Sequence, residues 1–125
     1  MKASELRIGN YHLYCVHDEL DNPKDYEVVD QIDAQDLVWL SSEAGENDTQ
    51  YKPIPLTEDW LKRFGFALFA WGWVKKSEND IGFRISYPHL HFQRENENPL
   101  KIQYVHQLQN LYFALTGEDL KLREE

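Results

Sequence analysis

The arrangement closest to a metal site is the pair His89-x-His91, because two imidazoles at alternate positions of a strand point the same way and can approach one ion together. A catalytic zinc needs a third protein ligand, which His12, His17, Cys15 or a carboxylate would have to bring from elsewhere in the fold. With it, His89 and His91 would serve a small metal-dependent hydrolase by activating a bound water. Cys15 and His17 also share strand parity and raise the idea of a thiolate nucleophile, although a buried cysteine usually packs as a small apolar side chain. Trp71 and Trp73, in line with Phe69, form an aromatic stripe that is either a second core or a recognition patch. His106, Gln107, Gln109 and Asn110 fall on the polar side of a helical pattern, where amides on a rigid scaffold can hold a partner. The binding candidates are therefore Trp71, Trp73, His106, Gln107 and Asn110, and the metal candidates His89 and His91; no residue is assigned a catalytic role.

Wider chemistry finds little support. The chain has no Gly-x-Gly-x-x-Gly, no phosphate loop, no Gly-x-Ser-x-Gly and no zinc-type cysteine spacing. Carboxylate pairs such as Asp18-Glu19, Glu58-Asp59 and Glu118-Asp119 stand where a helix start or a solvated loop wants negative charge. The balance weighs against an enzyme, and no cofactor is expected. With 22 acidic and 13 basic residues among 125, the net charge of −9 also weighs against nucleic acid and anionic membranes, since affinity for either comes mainly from lysine and arginine. Twelve acids and three bases fall in residues 1–50, and ten of each in residues 51–125. The excess charge thus belongs to the first part of the chain, either as solvated loops or as a face for a basic partner. A nucleic-acid-binding small β-barrel survives as an alternative on the local basic set Lys62, Arg63, Lys75, Lys76 and Arg84.

The longest apolar stretch, residues 64–74, is too short to span a bilayer. The first residues lack an apolar signal core, and a lone cysteine fits a reducing compartment, so a cytoplasmic location is expected.

The elements that must position these residues follow from period and punctuation. After a Gly9-Asn10 turn, residues 11–16 read as a strand, residues 26–32 as a second and residues 37–40 as a third, with Val28, Val29, Val38 and Trp39 as core. Pro23 and the acids around it make residues 18–25 a loop, and the polar run 41–50 reads as a mobile one. Thr57 as N-cap, Glu58 and Asp59 in the first turn, Lys62 and Arg63 in the last and Gly65 beyond them predict a short helix over 58–64 that buries Trp60, Leu61 and Phe64. Residues 66–75, 82–87 and 90–93 predict an antiparallel meander, closed by a loop over 94–99. Residues 100–103 follow as a strand, and a helix over 104–116 presents Val105, Leu108, Leu111, Tyr112 and Leu115 on one side, with Gly117 as its stop. Leu120 and Leu122 add an edge strand.

Two segments, residues 6–11 and residues 104–120, joined by residues 53–58 with Trp60-Leu61, resemble a family of small bacterial proteins with no assigned activity, from Bacteroidetes-type bacteria and their phages or mobile elements. The string from His106 through Gly117 carries most of the likeness. The resemblance implies a cytoplasmic protein of mobile-element origin, with residues 18–25 and 41–50 as its variable parts. It transfers no catalytic residue.

These readings converge on an α+β fold: an N-terminal SH3-like antiparallel sheet, a short helix, a β-meander and a C-terminal amphipathic helix packed on the sheet. It is taken as one domain over 1–125, with an acidic sheet subregion over 1–50 and a helix-meander-helix subregion over 51–125. The leading function is that of a non-enzymatic interaction or accessory protein that binds a protein partner.

Overall fold

Aromatic and aliphatic residues dominate Tyr11–Val16, and the segment forms strand β1 over the predicted span. The computed structural model describes residues 1–16, 26–48, 50–69, 72–79, 82–86, 90–92 and 100–122. The loops expected over 18–25 and 94–99 lie outside the described residues. Gly9 takes the left-handed φ of +94° that its turn requires, and the Asn10 side-chain oxygen accepts the Arg7 N–H at 2.6 Å. Strand β2 (Tyr26–Gln31) runs antiparallel to β1 with His12 opposite Asp30 and Tyr14 opposite Val28. The other side of β1 takes β3 (Tyr51–Lys52), so among the described residues the sheet order is β2-β1-β3 and β2 is an edge.

The strand expected over 37–40 is instead the end of a helix, α1 (Ala34–Leu40). Asp33 and Asp36 start it with a reciprocal capping box, the Asp36 N–H donating to Asp33 Oδ1 at 2.8 Å and the Asp33 N–H to Asp36 Oδ2 at 2.9 Å. A short apolar run cannot distinguish helix from strand by period, and here the caps decide it. Leu37 and Leu40, three apart, turn toward a small core with Leu6 and Ile32. Val38 and Trp39 consequently face out, at 74% and 43% exposure, and Val28 and Val29 are exposed as well. All four residues expected in the core are on the surface.

Residues 41–50 are not simply a loop either. Ser42 accepts the Gly45 N–H at 3.0 Å and caps a further turn of helix, α2 (Glu43–Glu46). Gly45 lies against the Trp39 carbonyl, so close that a Cβ would collide with it.

These elements belong to the first of two units, Met1–Ile54; the second is Pro55–Glu125. The second opens with the predicted helix, α3 (Glu58–Arg63), where the Thr57 hydroxyl accepts the Trp60 N–H and Gly65 has φ +91°. Trp60, Leu61 and Phe64 are buried as expected. The stretch predicted as one strand is two: β4 (Ala67–Phe69) and β5 (Gly72–Lys76) pair antiparallel with Phe69 opposite Gly72. Gly72 permits this, since it holds φ +140° and sits tight on the Ile85 carbonyl, where no side chain fits. Strand β6 (Gly82–Ile85) completes the sheet β4-β5-β6. The predicted last strand of the meander, β7 (His91–Phe92), pairs with β8 (Leu100–Lys101) rather than with β6.

Helix α4 (Val105–Thr116) follows and ends at Gly117 with φ +74°. Its Tyr112 ring meets Phe83 of β6 edge-on at 5.5 Å between centroids, and Phe83 also touches the rings of Phe66 and Phe92 at 6.1 and 5.0 Å. The helix therefore packs on the sheet, and this aromatic cluster is the heart of the unit. Leu120 is buried, but residues 120–122 form no strand.

The protein is α+β, with two three-stranded antiparallel sheets, a two-stranded ribbon and four α-helices among the described residues. Among those residues no helix is long and apolar enough to cross a membrane.

Candidate interaction surface

The residues singled out for chemistry scatter. Trp71 and His89 lie outside the described residues, and so does the side chain of His91, whose backbone pairs with Lys101 in β7. No group of three or more metal-ligating side chains occurs among the described residues. Trp73 is 1% exposed, so it is core and not part of an open aromatic patch. His106 and Gln109, expected in solvent, are buried on α4, because that helix buries more than its aliphatic stripe. His106 stacks on Tyr104 at 5.7 Å. Gln107 is exposed, but its Oε1 accepts the N–H groups of Gln103 and Tyr104 at 2.9 and 3.2 Å, a helix-capping task. Asn110 is half-buried. Two members of the basic set are likewise engaged within their unit: Lys75 donates to the Phe64 carbonyl at 2.7 Å, and Arg63 lies over the Trp60 ring at 4.3 Å.

Sequence reasoning missed a polar cluster in the first unit. His12, Tyr14 and Tyr51 share one face of the sheet: His12 stacks on Tyr51 at 5.1 Å, and Tyr14 meets the same ring edge-on at 5.3 Å. The Tyr51 hydroxyl donates to Asp36 Oδ1 at 2.7 Å and ties β3 to α1. Burial pushes the Asp36 carboxyl up, but bonds from the Asp33 backbone, the Tyr51 hydroxyl and the Asp33 side chain, with the charge of His12, outweigh it and hold Asp36 below its ordinary value. Burial and then Asp36 push the Tyr51 hydroxyl well above the usual tyrosine range. His12 Nδ1 lies 3.1 Å from the Leu13 carbonyl, which can only accept, so the hydrogen bond between them is donated by the ring. Its Nε2 is enclosed, with no hydrogen-bond partner among the described residues. No substrate reaches so enclosed a nitrogen without displacing the rings around it, and the cluster serves as a brace. The alternation His12-x-Tyr14 was its one sequence signal.

Exposed apolar side chains occur in both units, at Ile8, Leu68, Phe69, Leu100 and Phe113 as well as on β2 and α1. In the first unit the edge of β2 and the outer side of α1 each present two of them. Glu27, Val28, Val29, Asp30 and Gln31 are all exposed. The Cys15 N–H donates to the Gln50 carbonyl, and Ile32 N–H to the Asn10 carbonyl, which fixes the alternation of the ladder: odd residues of β1 bond toward β3, even ones toward β2. Within β2, then, Tyr26, Val28 and Asp30 bond to β1, while the backbone groups of Glu27, Val29 and Gln31 point outward. The Asp30 carboxylate takes the outward Gln31 N–H at 2.8 Å; among the described residues, those of Glu27 and Val29 meet no acceptor. On the opposite face from His12, Glu27 receives Lys52 Nζ at 3.4 Å and lies 3.7 Å from the thiol of Cys15. The neighbouring carboxylate raises the Lys52 ammonium pKa.

A comparison of the chain with known protein families, curated proteins and solved structures finds no match.

Proposed function

We propose that the chain is a non-enzymatic interaction or accessory protein that binds a protein partner through its acidic first unit. The observation that carries this reading is the exposure of Val28, Val29, Val38 and Trp39 at 38, 48, 74 and 43%. A strand edge and a helix side that both present large apolar groups are the anatomy of a contact surface. The same unit holds twelve acids against four bases, which favours a basic partner and disfavours nucleic acid. In this reading the SH3-like sheet serves as an open three-stranded sheet with an edge to offer, and the protein acts in the cytoplasm. A mobile-element origin belongs to the reading on the strength of the residue strings quoted above alone.

The test is affinity capture at low salt with the full chain and with Val38→Ser/Trp39→Ser. A protein retained by the natural chain, lost from the variant at unchanged melting temperature and released by salt, supports the reading. If the natural chain retains no protein that the doubly substituted chain fails to retain, the reading fails.

A further inference from the structure

We infer that the outer edge of β2 is a docking site for an extended segment of a partner protein with the side-chain order basic, aliphatic, aliphatic, basic. The inference rests on the interaction reading and adds the chemistry of what is bound.

The backbone comes first. Glu27 and Val29 present N–H groups, and Glu27, Val29 and Gln31 present carbonyls, along one line outside the ladder that β2 makes with β1. A strand laid beside that line satisfies these groups as β1 does on the inner side. Natural edges are guarded by charged side chains, lysine above all, by proline or by a bulge. Strand β2, Tyr-Glu-Val-Val-Asp-Gln, pairs residue for residue with β1 and has no lysine, proline or bulge. Its only charges are the carboxylates of Glu27 and Asp30, which repel an acidic strand and accept a basic one.

Side chains then set the pattern. Residues directly opposite in adjoining strands share a face. On one face of β2 stand Glu27 and Val29, on the other Val28 and Asp30, so each face offers one carboxylate and one valine. A docked strand matches them with a cation opposite Glu27, aliphatic groups opposite Val28 and Val29, and a cation opposite Asp30. That order is the same in either direction, so a basic, aliphatic, aliphatic, basic segment fits parallel or antiparallel. The ammonium of Lys52 on Glu27 shows the contact such a cation makes. A second copy of this chain is the wrong occupant, because its own β2 brings more carboxylates and a net charge of −9 to an already acidic surface.

The experiment is a titration of the isotope-labelled full chain, followed by amide NMR, with a short peptide having a Lys-Val-Val-Lys core and with a control having Lys-Val-Lys-Val. The matched peptide is expected to shift the amides of Glu27 to Gln31 and to bind roughly tenfold more tightly than the control, which puts both cations on one face. Val29→Pro removes one outward N–H and leaves the ladder to β1 intact, so binding should be lost. If that variant does not fold, Glu27→Gln/Asp30→Asn keeps shape, removes charge, and should weaken binding about tenfold. The inference is overturned by no binding, by shifts elsewhere, by equal affinity for the two peptides, or by variants that bind as the natural chain does. Concentration-dependent dimerisation through β2 overturns it in favour of a second copy. The interaction reading itself stands or falls separately on the capture experiment, whose variant lies on α1.

Discussion

In the second unit Phe83 is ringed by Phe66, Phe92 and Tyr112, and Leu61, Phe64, Val105 and Leu108 are fully buried around the α3 and α4 helices. The first unit has a small apolar core of Leu6, Ile32 and Leu40, supports its sheet with a polar brace of His12, Tyr51 and Asp36, and leaves two adjacent valines of β2 and the Val38-Trp39 side of α1 in solvent. Both units leave large apolar side chains in solvent, Ile8, Val28, Val29, Val38 and Trp39 in the first and Leu68, Phe69, Leu100 and Phe113 in the second. The units therefore differ in the size of the core beneath them, and the first carries nearly all the excess negative charge. The contrast teaches that apolar composition alone does not say how much of it a unit buries.

The contrast breaks most visibly at Leu108. Truncation to alanine should cost about 2–5 kcal/mol by leaving a cavity in the second unit, read as a lower midpoint in chemical denaturation. A cost near zero would mean that α4 is not sealed. Next is Gly45→Ala, which drives a methyl against the Trp39 carbonyl and should destabilise the first unit by about 1–3 kcal/mol; native-state hydrogen exchange of α1 amides measures it.

Tyr51→Phe removes the hydroxyl that Asp36 accepts and should cost about 1 kcal/mol at neutral pH. The bond also fixes the pH dependence. Asp36 is held below its ordinary value, so its stabilisation is complete above the unfolded-state carboxylate range and is lost as pH falls through its folded value. Tyr51 is held above its ordinary value, so its contribution is complete below about pH 10 and is lost as pH rises past that point. Melting curves across pH should show both limbs in the natural chain. Tyr51→Phe should make the alkaline one shallower without abolishing it, because Tyr112 and Lys52 are also held above their ordinary values. The smallest effect is expected at Val38→Ser, within about 0.5 kcal/mol, because the side chain is already wet. A larger loss would move Val38 from the solvent-exposed side of α1 to the core.

Legibility followed the strength of local signals. Thr57, the charges of α3 and Gly65 announce one short helix, while the three- and four-residue spacing from Val105 to Leu115 and the stop at Gly117 announce another, and both were found in place. The apolar run 37–40 was misread, since the Asp33–Asp36 capping box that makes it helical lies upstream of the pattern. Residues 66–75 were misread for a different reason. Their alternation is continuous, and nothing in it marks the reversal that sets Phe69 opposite Gly72. The exposure of Val28 and Val29 was illegible because a valine pair in a strand reads the same whether a neighbour covers it or water does.

The two rims of the first sheet are unequal. Strand β3 is only two residues long, ends in a lysine and is tethered by a phenol to the neighbouring helix, whereas β2 runs for six. Under the proposed docking, the six-residue rim of β2 offers an added strand a longer ladder than the two-residue rim of β3, so the two rims are unequal seats.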